Sequence, residues 1–320
     1  MPRAFITGVT GQDGSFLSEL LVAAGWEVHG LLRANTMPDE QGLPASVVPH
    51  VGSLAQTERL ADIINDVEPD AVYNLAGVSS VAYSWDHPVE TARVTGLAVT
   101  AILDAVWRIQ ERTGVPRRVL QASSSEIFGA AEQQPQNEAT PLRPLTPYGA
   151  AKSFAHQQVQ VYRARGLFAS NAILYNHESP RRPATFVTKK ISLAAVAVAR
   201  GEQDAITLGN LDARRDWGWA PDFVDAMFRI LSADGPNDFV VATGETHSVR
   251  DFAYAALRAA GVTDVENRVV SDPQFTRPND APEMRGDATR LRNDLGWSPT
   301  LDFDTLVRKM VEHDLLATGS

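Results

Sequence analysis

The chain has 320 residues, 44% of them hydrophobic and 21% charged, proportions of a soluble globular protein with room for one large or two modest domains. Its net charge of −10 argues against a nucleic-acid surface, though a few local cations can still hold a small anionic ligand. With no cysteine it builds neither disulfides nor Cys-ligated zinc, and its longest apolar stretch, Ser192 to Ala199, falls far short of the roughly 20 residues of a membrane span, so the expectation is a cytoplasmic protein with no signal peptide and no membrane partner.

Near the N-terminus, "RAFITG" is a β-branched and aromatic run ending in glycine, which predicts a buried strand. "SFLSELLVAAG" follows with Phe16, Leu17, Leu20 and Leu21 at helical spacing, closed by Gly25. "WEVHGLLR" predicts a second strand, "TERLADIINDV" a helix, "AVYNLAG" a strand, "VTAILDAVWRIQERTG" a helix and "RRVLQASS" a strand. Such alternation implies an α/β fold: a doubly wound parallel (Rossmann) sheet with right-handed crossovers.

Between the first strand and helix lies "GVTGQDG", with Gly8, Gly11 and Gly14 spaced G-x-x-G-x-x-G. Small residues there let the backbone approach a pyrophosphate and aim helix N–H groups at it. Alone, the pattern is equally a tight strand–helix turn; its place after the first strand favours dinucleotide binding. The second strand ends in Arg33 with no carboxylate nearby, which suits the 2′-phosphate of NADP better than the ribose of NAD. A solvated surface charge is the plainer account of Arg33.

"QASSSEIFG" delivers Ser124 and Glu126 at the carboxyl end of a strand, where parallel sheets gather their active groups. In an extended chain, residues two apart share a side, so Ser124 and Glu126 are expected to point together. Further on, "TPYGAAKSFAHQQVQVYRARG" predicts a helix after Pro147, with Tyr148 and Lys152 on one face. An ammonium beside a phenol lowers its proton affinity, so Tyr148 is expected to act as an acid–base group near neutral pH. Each fragment has a bland reading as loop, cap or surface charge. Their order along the chain supports catalysis.

These residues resemble the extended branch of the short-chain dehydrogenase/reductase superfamily, and more closely the GDP-mannose 4,6-dehydratase family. The carriers are "ITGVTGQDGSFLSELL", "QASSSEIFG", "PYGAAK", "NAILYNHESPRRPATFVTKKIS", "LGNLDARRDWGWAPDFVDAM", "DFVVATGETHSVRDF" and "LGWSPTLDFDTLVRKMVEHDL". The resemblance implies oxidation at C4 of a hexose by Tyr148 and Lys152, removal of the C5 proton by Glu126, and loss of water from C6 aided by Glu126 or Ser124. It implies NADP, or NAD, held by Gly8, Thr10, Gly11, Gln12, Asp13, Gly14, Arg33, Leu75, Ala76, Gly77, Ser79, Tyr148, Lys152, His177 and Arg182. It places GDP-mannose or a related nucleotide sugar against Ser79, Ser124, Glu126, Tyr148, Asn176, Val187, Lys190, Gly209, Arg215 and Arg277. It also implies a homodimer or homotetramer, and no metal.

The implied organisation is an NADP-binding domain over 1–176, with 216–244 returning to it, and a smaller C-terminal α/β sugar-nucleotide domain over 177–215 and 245–320. The chain departs from the family's usual pattern in several places. Ala34 stands where a second arginine is usual, the segment after it is short, Ser53 replaces an adenine-contacting Asp, and "RPNDAPE" differs from the usual run. Arg181 and Arg214 read as surface cations. Two other readings remain on this scaffold: a reductase of the 4-keto-6-deoxy product or a nucleotide-sugar epimerase, and a non-catalytic nucleotide-sugar or NADPH sensor. The intact Ser124, Glu126, Tyr148 and Lys152 set weighs against the sensor.

Overall fold

The computed structural model describes residues 1–33, 44–275 and 281–317. Its first half runs β1 (Arg3–Thr7), α1 (Gln12–Ala23), β2 (Glu27–Leu32), β3 (Val48–Val51), α2 (Thr57–Val67) and β4 (Ala71–Asn74). Then come α3 (Val81–Asp86), α4 (Pro88–Thr91), a π-helix (Ala92–Leu97), α5 (Ala98–Thr113), β5 (Arg118–Ser124), a 3-10 turn (Ser125–Ile127), α6 (Pro147–Ala164) and β6 (Phe168–Leu174). The second half continues through β7 (Asn176–Glu178), α7 (Val187–Ala199), β8 (Ile206–Leu208), β9 (Arg214–Arg215), β10 (Trp217–Trp219), α8 (Ala220–Ser232) and β11 (Asp238–Val241). It closes with β12 (His247–Ser248), α9 (Val249–Ala259), β13 (Val269–Ser271), β14 (Glu283–Met284), α10 (Thr289–Leu295) and α11 (Phe303–Ala317).

Seven strands form one sheet in the order β3-β2-β1-β4-β5-β6-β11, and every neighbouring pair is parallel. The doubly wound parallel fold expected from the sequence is therefore present. Its inner strands read as apolar runs because both faces are covered, whereas the edge strand β3 is largely exposed. Along β1 the side chains alternate between two cores: Ala4 and Ile6 join Leu17 and Leu21 of α1 and Phe223 and Met227 of α8. Phe5 faces the other way, onto Leu60 and Ile63 of α2, Ile102 and Val106 of α5 and Val159 of α6.

Chain order along the sheet reverses at β1, which has β2 on one side and β4 on the other. Ligands of open α/β sheets bind beyond the strand carboxyl ends at such a reversal. The β1–α1 turn sits there. A third apolar cluster, separate from the large sheet, joins Ile191 and Ala195 of α7, Phe252 and Leu257 of α9 and Val307 and Met310 of α11. Small strand pairs surround it: β13 on β8, and β9 between β12 and β14. The pair β7 and β10 links Asn176 with Trp217. Among the described residues, no helix is long and apolar enough to cross a membrane, and no cluster of His, Asp and Glu could hold a metal ion.

Candidate active site

Two glycines shape the first turn. Gly8 has φ of +74°, a conformation that side chains resist, and a Cβ on Gly14 would lie 2.1 Å from the Gly8 carbonyl oxygen. Thr10, Gly11, Gln12 and Asp13 complete the turn and the opening of α1, with Gly11 as the N-cap. Neither Gln12 nor Asp13 simply faces outward. Gln12 Nε2 donates to the His177 carbonyl at 3.1 Å, and Asp13 Oδ2 lies 2.9 Å from His177 Nε2. Arg33 is exposed at the end of β2. Ala34 and Arg277 lie outside the described residues.

β4 stops at Asn74, and Leu75, Ala76, Gly77 and Ser79 follow in the loop beyond its carboxyl end. Two hydroxyls fix this loop: Ala76 N–H donates to Thr7 Oγ1 at 3.1 Å and Val78 N–H to Thr95 Oγ1 at 3.0 Å. Thr95 reaches the loop from the π-helix, a distortion that often marks functional sites. Behind the loop runs a chain of buried amides. Thr7 Oγ1 donates to Asn74 Oδ1 at 2.6 Å, Asn74 Nδ2 to Gln121 Oε1 at 2.6 Å, and Gln121 Nε2 to the Ala122 carbonyl at 2.8 Å. The same carbonyl accepts from Lys152 Nζ at 2.7 Å. Because β4 pairs with β5 only as far as Gln121, this carbonyl lies beyond the β4 side of the ladder.

Ser124 ends β5, but the backbone does not stay extended to Glu126. A 3-10 turn begins at Ser125, and the Ser124 hydroxyl caps it by accepting from Glu126 N–H at 3.2 Å. The expectation that alternation alone puts Ser124 and Glu126 on one side is thus corrected. Tertiary packing brings both within influence of Tyr148 instead: the Ser124 hydroxyl favours its ionisation and the Glu126 carboxylate opposes it. Thr146 caps α6 by accepting from Gly149 N–H at 2.9 Å, and Tyr148 N–H donates to Ser84 Oγ of α3 at 3.2 Å. Lys152 lies one turn on, its Nζ 5.8 Å from the Tyr148 ring centre.

The electrostatics of this pair differ from the sequence expectation. Burial pushes the Tyr148 phenol up to about 12, the Glu126 carboxylate adds to that, and the Ser124 hydrogen bond only partly opposes it. Burial pulls Lys152 down to about 8, against the attraction of Asp13. Lys152 therefore does not depress Tyr148 in the chain by itself. Its ammonium is committed to the Ala122 carbonyl, and loss of hydration dominates both groups.

The remaining expected residues spread over several elements. Asn176 opens β7, partly buried. Arg182 pairs with Glu178, Nε to Oε2 at 3.1 Å, and stacks on Phe186 at 3.7 Å. Val187 opens α7, where Lys190 is exposed, and Gly209 follows β8. Arg215 is buried in β9 and donates through Nη1 to the carbonyls of Arg214 and Ala281, at 2.8 and 2.9 Å. Arg181 is more than a surface cation. It reaches α1, with Nη1 donating to Ser15 Oγ at 3.0 Å and Nη2 pairing with Glu19 at 2.8 Å.

Ser84, Thr95, Gly149 and the amides Asn74 and Gln121 were not anticipated. Only Gly149, within "YGAAK", left a legible signal, since glycine at a helix start often marks a close approach. The others depend on contacts between distant elements.

A family model described as GDP-mannose 4,6 dehydratase matches residues 5–310. The chain belongs to the GDP-mannose 4,6-dehydratase family. It is 41% identical to the GDP-mannose 4,6 dehydratase of Homo sapiens, over 98% of this chain and 91% of that protein. It is 38% identical to the GDP-mannose 4,6-dehydratase of Vibrio cholerae, over 98% of this chain and 94% of that one. Among solved structures, a UDP-glucose 4-epimerase of Thermus thermophilus in complex with NAD superposes with a TM-score of 0.84 at 26% identity, covering 98% of each chain. Membership of the GDP-mannose 4,6-dehydratase family agrees with the long motifs "NHESPRR" and "LGNLDARRDWG".

Proposed function

We propose that the protein is a GDP-mannose 4,6-dehydratase that converts GDP-mannose to GDP-4-keto-6-deoxy-mannose. The observation that carries this reading is the meeting of Ser124, Glu126 and Tyr148 over a buried Lys152, next to the β1–α1 turn. A simple alcohol oxidation needs a hydroxyl, a phenol and an ammonium. Elimination needs a carboxylate as well, and Glu126 supplies it.

The residues of the first turn fit a dinucleotide: a positive-φ glycine, a second glycine packed onto it, and a helix N-terminus directed at the space above. A bound nicotinamide would accept hydride from C4 and return it to C6, and its oxidised, cationic ring favours the phenolate of Tyr148. Tyr148 takes the 4-hydroxyl proton. Lys152, held on the Ala122 carbonyl with Nζ 5.8 Å from the Tyr148 ring centre, adds positive charge near the phenolate once it forms. The new carbonyl acidifies the C5–H bond, and Glu126 removes that proton. A proton from Glu126 or Ser124 then accompanies the C6 hydroxyl as it leaves as water. A proton returned to C5 completes the balance, so the net change is loss of one water. Arg33 at the end of β2 supports NADP over NAD. The nucleotide part of the substrate is assigned to Asn176, Val187, Lys190, Gly209, Arg215 and Arg277.

Domain limits at 176, 216 and 244 are supported by α8 and β11 packing with the large sheet while α7, α9 and α11 share their own core, although Met284, Leu291 of α10 and Trp297, from the stretch given to the smaller domain, join the large-sheet core. Self-association through α5 and α6 is supported by Phe154 and Val161, apolar residues exposed on α6. The deciding test is incubation of the purified chain with GDP-mannose and a catalytic amount of NADP⁺. A product lighter by one water, over many turnovers per cofactor, is expected. Stoichiometric consumption of NADPH with a 4-keto-6-deoxy sugar nucleotide would instead mark a reductase.

A further inference from the structure

A carboxylate in the first turn of α1 needs an explanation. Helix N-termini at such turns attract phosphate, and Asp13 places a negative charge there. The structure shows how that charge is used. Asp13 Oδ2 is 2.9 Å from His177 Nε2, and His177 Nδ1 is 2.7 Å from the Tyr175 carbonyl oxygen. Both partners of the ring are acceptors. A neutral imidazole has one N–H and would leave a lone pair facing one of those oxygens, whereas an imidazolium satisfies both. The ring is also stacked on Phe223 of α8, centroids 4.6 Å apart.

The contact is wider than one pair. Gln12 Nε2 donates to the His177 carbonyl at 3.1 Å, and Ser179 Oγ donates to Gln12 Oε1 at 2.8 Å. Arg181 adds its bonds to Ser15 and Glu19. Residues 177–181 are therefore gripped by the first two turns of α1, although more than 160 positions separate the partners in sequence. The charged groups that bear on the ring are Asp13 from α1 and Arg182 from the segment after β7. Lys152 and Tyr148 of α6 feel the same Asp13 carboxylate. Burial would discharge His177 and protonate Asp13, yet their mutual attraction prevails on both sides: the imidazole is held above its ordinary value and the carboxyl below it.

We propose that Asp13 and a protonated His177 form a latch between the phosphate-binding turn and the strand that opens the nucleotide-sugar region. In it His177 cancels the Asp13 charge so that the turn still accepts a pyrophosphate. His177 is then a positioning residue, its two ring nitrogens spent on Asp13 and Tyr175. The functional half of this statement rests on the dinucleotide reading of the turn; the ion pair itself does not.

Two measurements on the full chain test it. Ring-nitrogen NMR, with the His177 signals assigned by their loss in His177→Gln, is expected to show a doubly protonated ring near pH 7. Asp13→Asn should move its deprotonation to lower pH. A neutral His177 ring near pH 7 in the wild-type chain overturns the latch. The second measurement is the dissociation constant of NADP⁺ near pH 7.5, above the titration of its 2′-phosphate at about 6. His177→Gln leaves the Asp13 carboxylate with the Gln12 amide at 3.2 Å and the attraction of Arg182 and Lys152 alone, and should weaken binding about tenfold, the equivalent of one pK unit. The double variant Asp13→Asn/His177→Gln should recover most of that loss. Equal weakening in the single and double variants would show that His177 acts without Asp13. Failure of the wild-type chain to bind NADP⁺ or NAD⁺ would reject the dinucleotide reading, while the NMR result still decides the pair.

Discussion

Gly149 lies against the backbone of Glu126: a Cβ built on it would sit 2.6 Å from the Glu126 carbonyl oxygen. This contact seats the first turn of α6 on the 3-10 turn after β5, and so sets the Tyr148 phenol beside Ser124 and Glu126. Alanine normally stabilises a helix by about 1 kcal/mol relative to glycine. Here the sign should reverse. Gly149→Ala is expected to cost roughly 1–3 kcal/mol through overpacking, and to lower kcat by about 100-fold through misplacement of the reacting groups. Chemical denaturation and steady-state kinetics would check both, and a stabilised, fully active variant would rule out the close approach.

Glu126→Gln removes the only carboxylate assigned to elimination and leaves the oxidation machinery intact. Water loss should fall by about 10²–10⁴-fold. Substrate should still reduce bound NADP⁺ in a single turnover, seen as nicotinamide absorbance. Wild-type turnover in this variant would remove Glu126 from the mechanism.

Lys152 is buried and its folded value is about 8, against an ordinary 10.5. Below pH 8 it is protonated in both states, so folding carries the full cost of burying the ammonium. Between pH 8 and 10.5 the unfolded chain binds more protons, so stability rises with pH. Lys152→Met should therefore abolish activity yet stabilise the apoprotein by roughly 1–3 kcal/mol near pH 7. That gain should fade as pH climbs from 8 to 10.5. Denaturation curves across this range would show it, and a gain that grows with pH contradicts the assignment.

Asn74 joins Thr7 on β1 to Gln121 on β5, and all three are nearly inaccessible to solvent. Asn74→Leu keeps the branched outline in a somewhat larger side chain, and leaves the Thr7 hydroxyl and the Gln121 amide without their partner. A loss of about 2–4 kcal/mol is expected, from two buried groups left unsatisfied. Equilibrium unfolding measures it, and Thr7→Val/Asn74→Leu should cost less than the two single changes summed. Strict additivity would mean that the chain of amides is not coupled.

The sequence made the winding of the sheet legible because apolar runs and glycine turns are local signals. "RAFITG", "AVYNLAG" and "RRVLQASS" became β1, β4 and β5 with few shifts at their ends. Helical spacing likewise set Tyr148 and Lys152 on one face of α6. Ser84 and Thr95 carried no local signal, because each acts through a backbone N–H brought to it by folding. Ser124 and Glu126 come together at Tyr148 for a reason other than strand alternation. Alternation holds only while the strand continues, and the Ser124 hydroxyl ends it by capping the next turn.

By itself, the sequence determined the fold class and the family, and singled out the four groups proposed to do the chemistry, since periodicity and long motifs survive without coordinates. Tertiary structure decided their state. Burial, not the neighbouring ammonium, governs the Tyr148 phenol, and Asp13 in the glycine turn faces a histidine from the far side of the chain. Proton affinity and ion pairing depend on hydration and on distances between remote residues, and neither is written in local order.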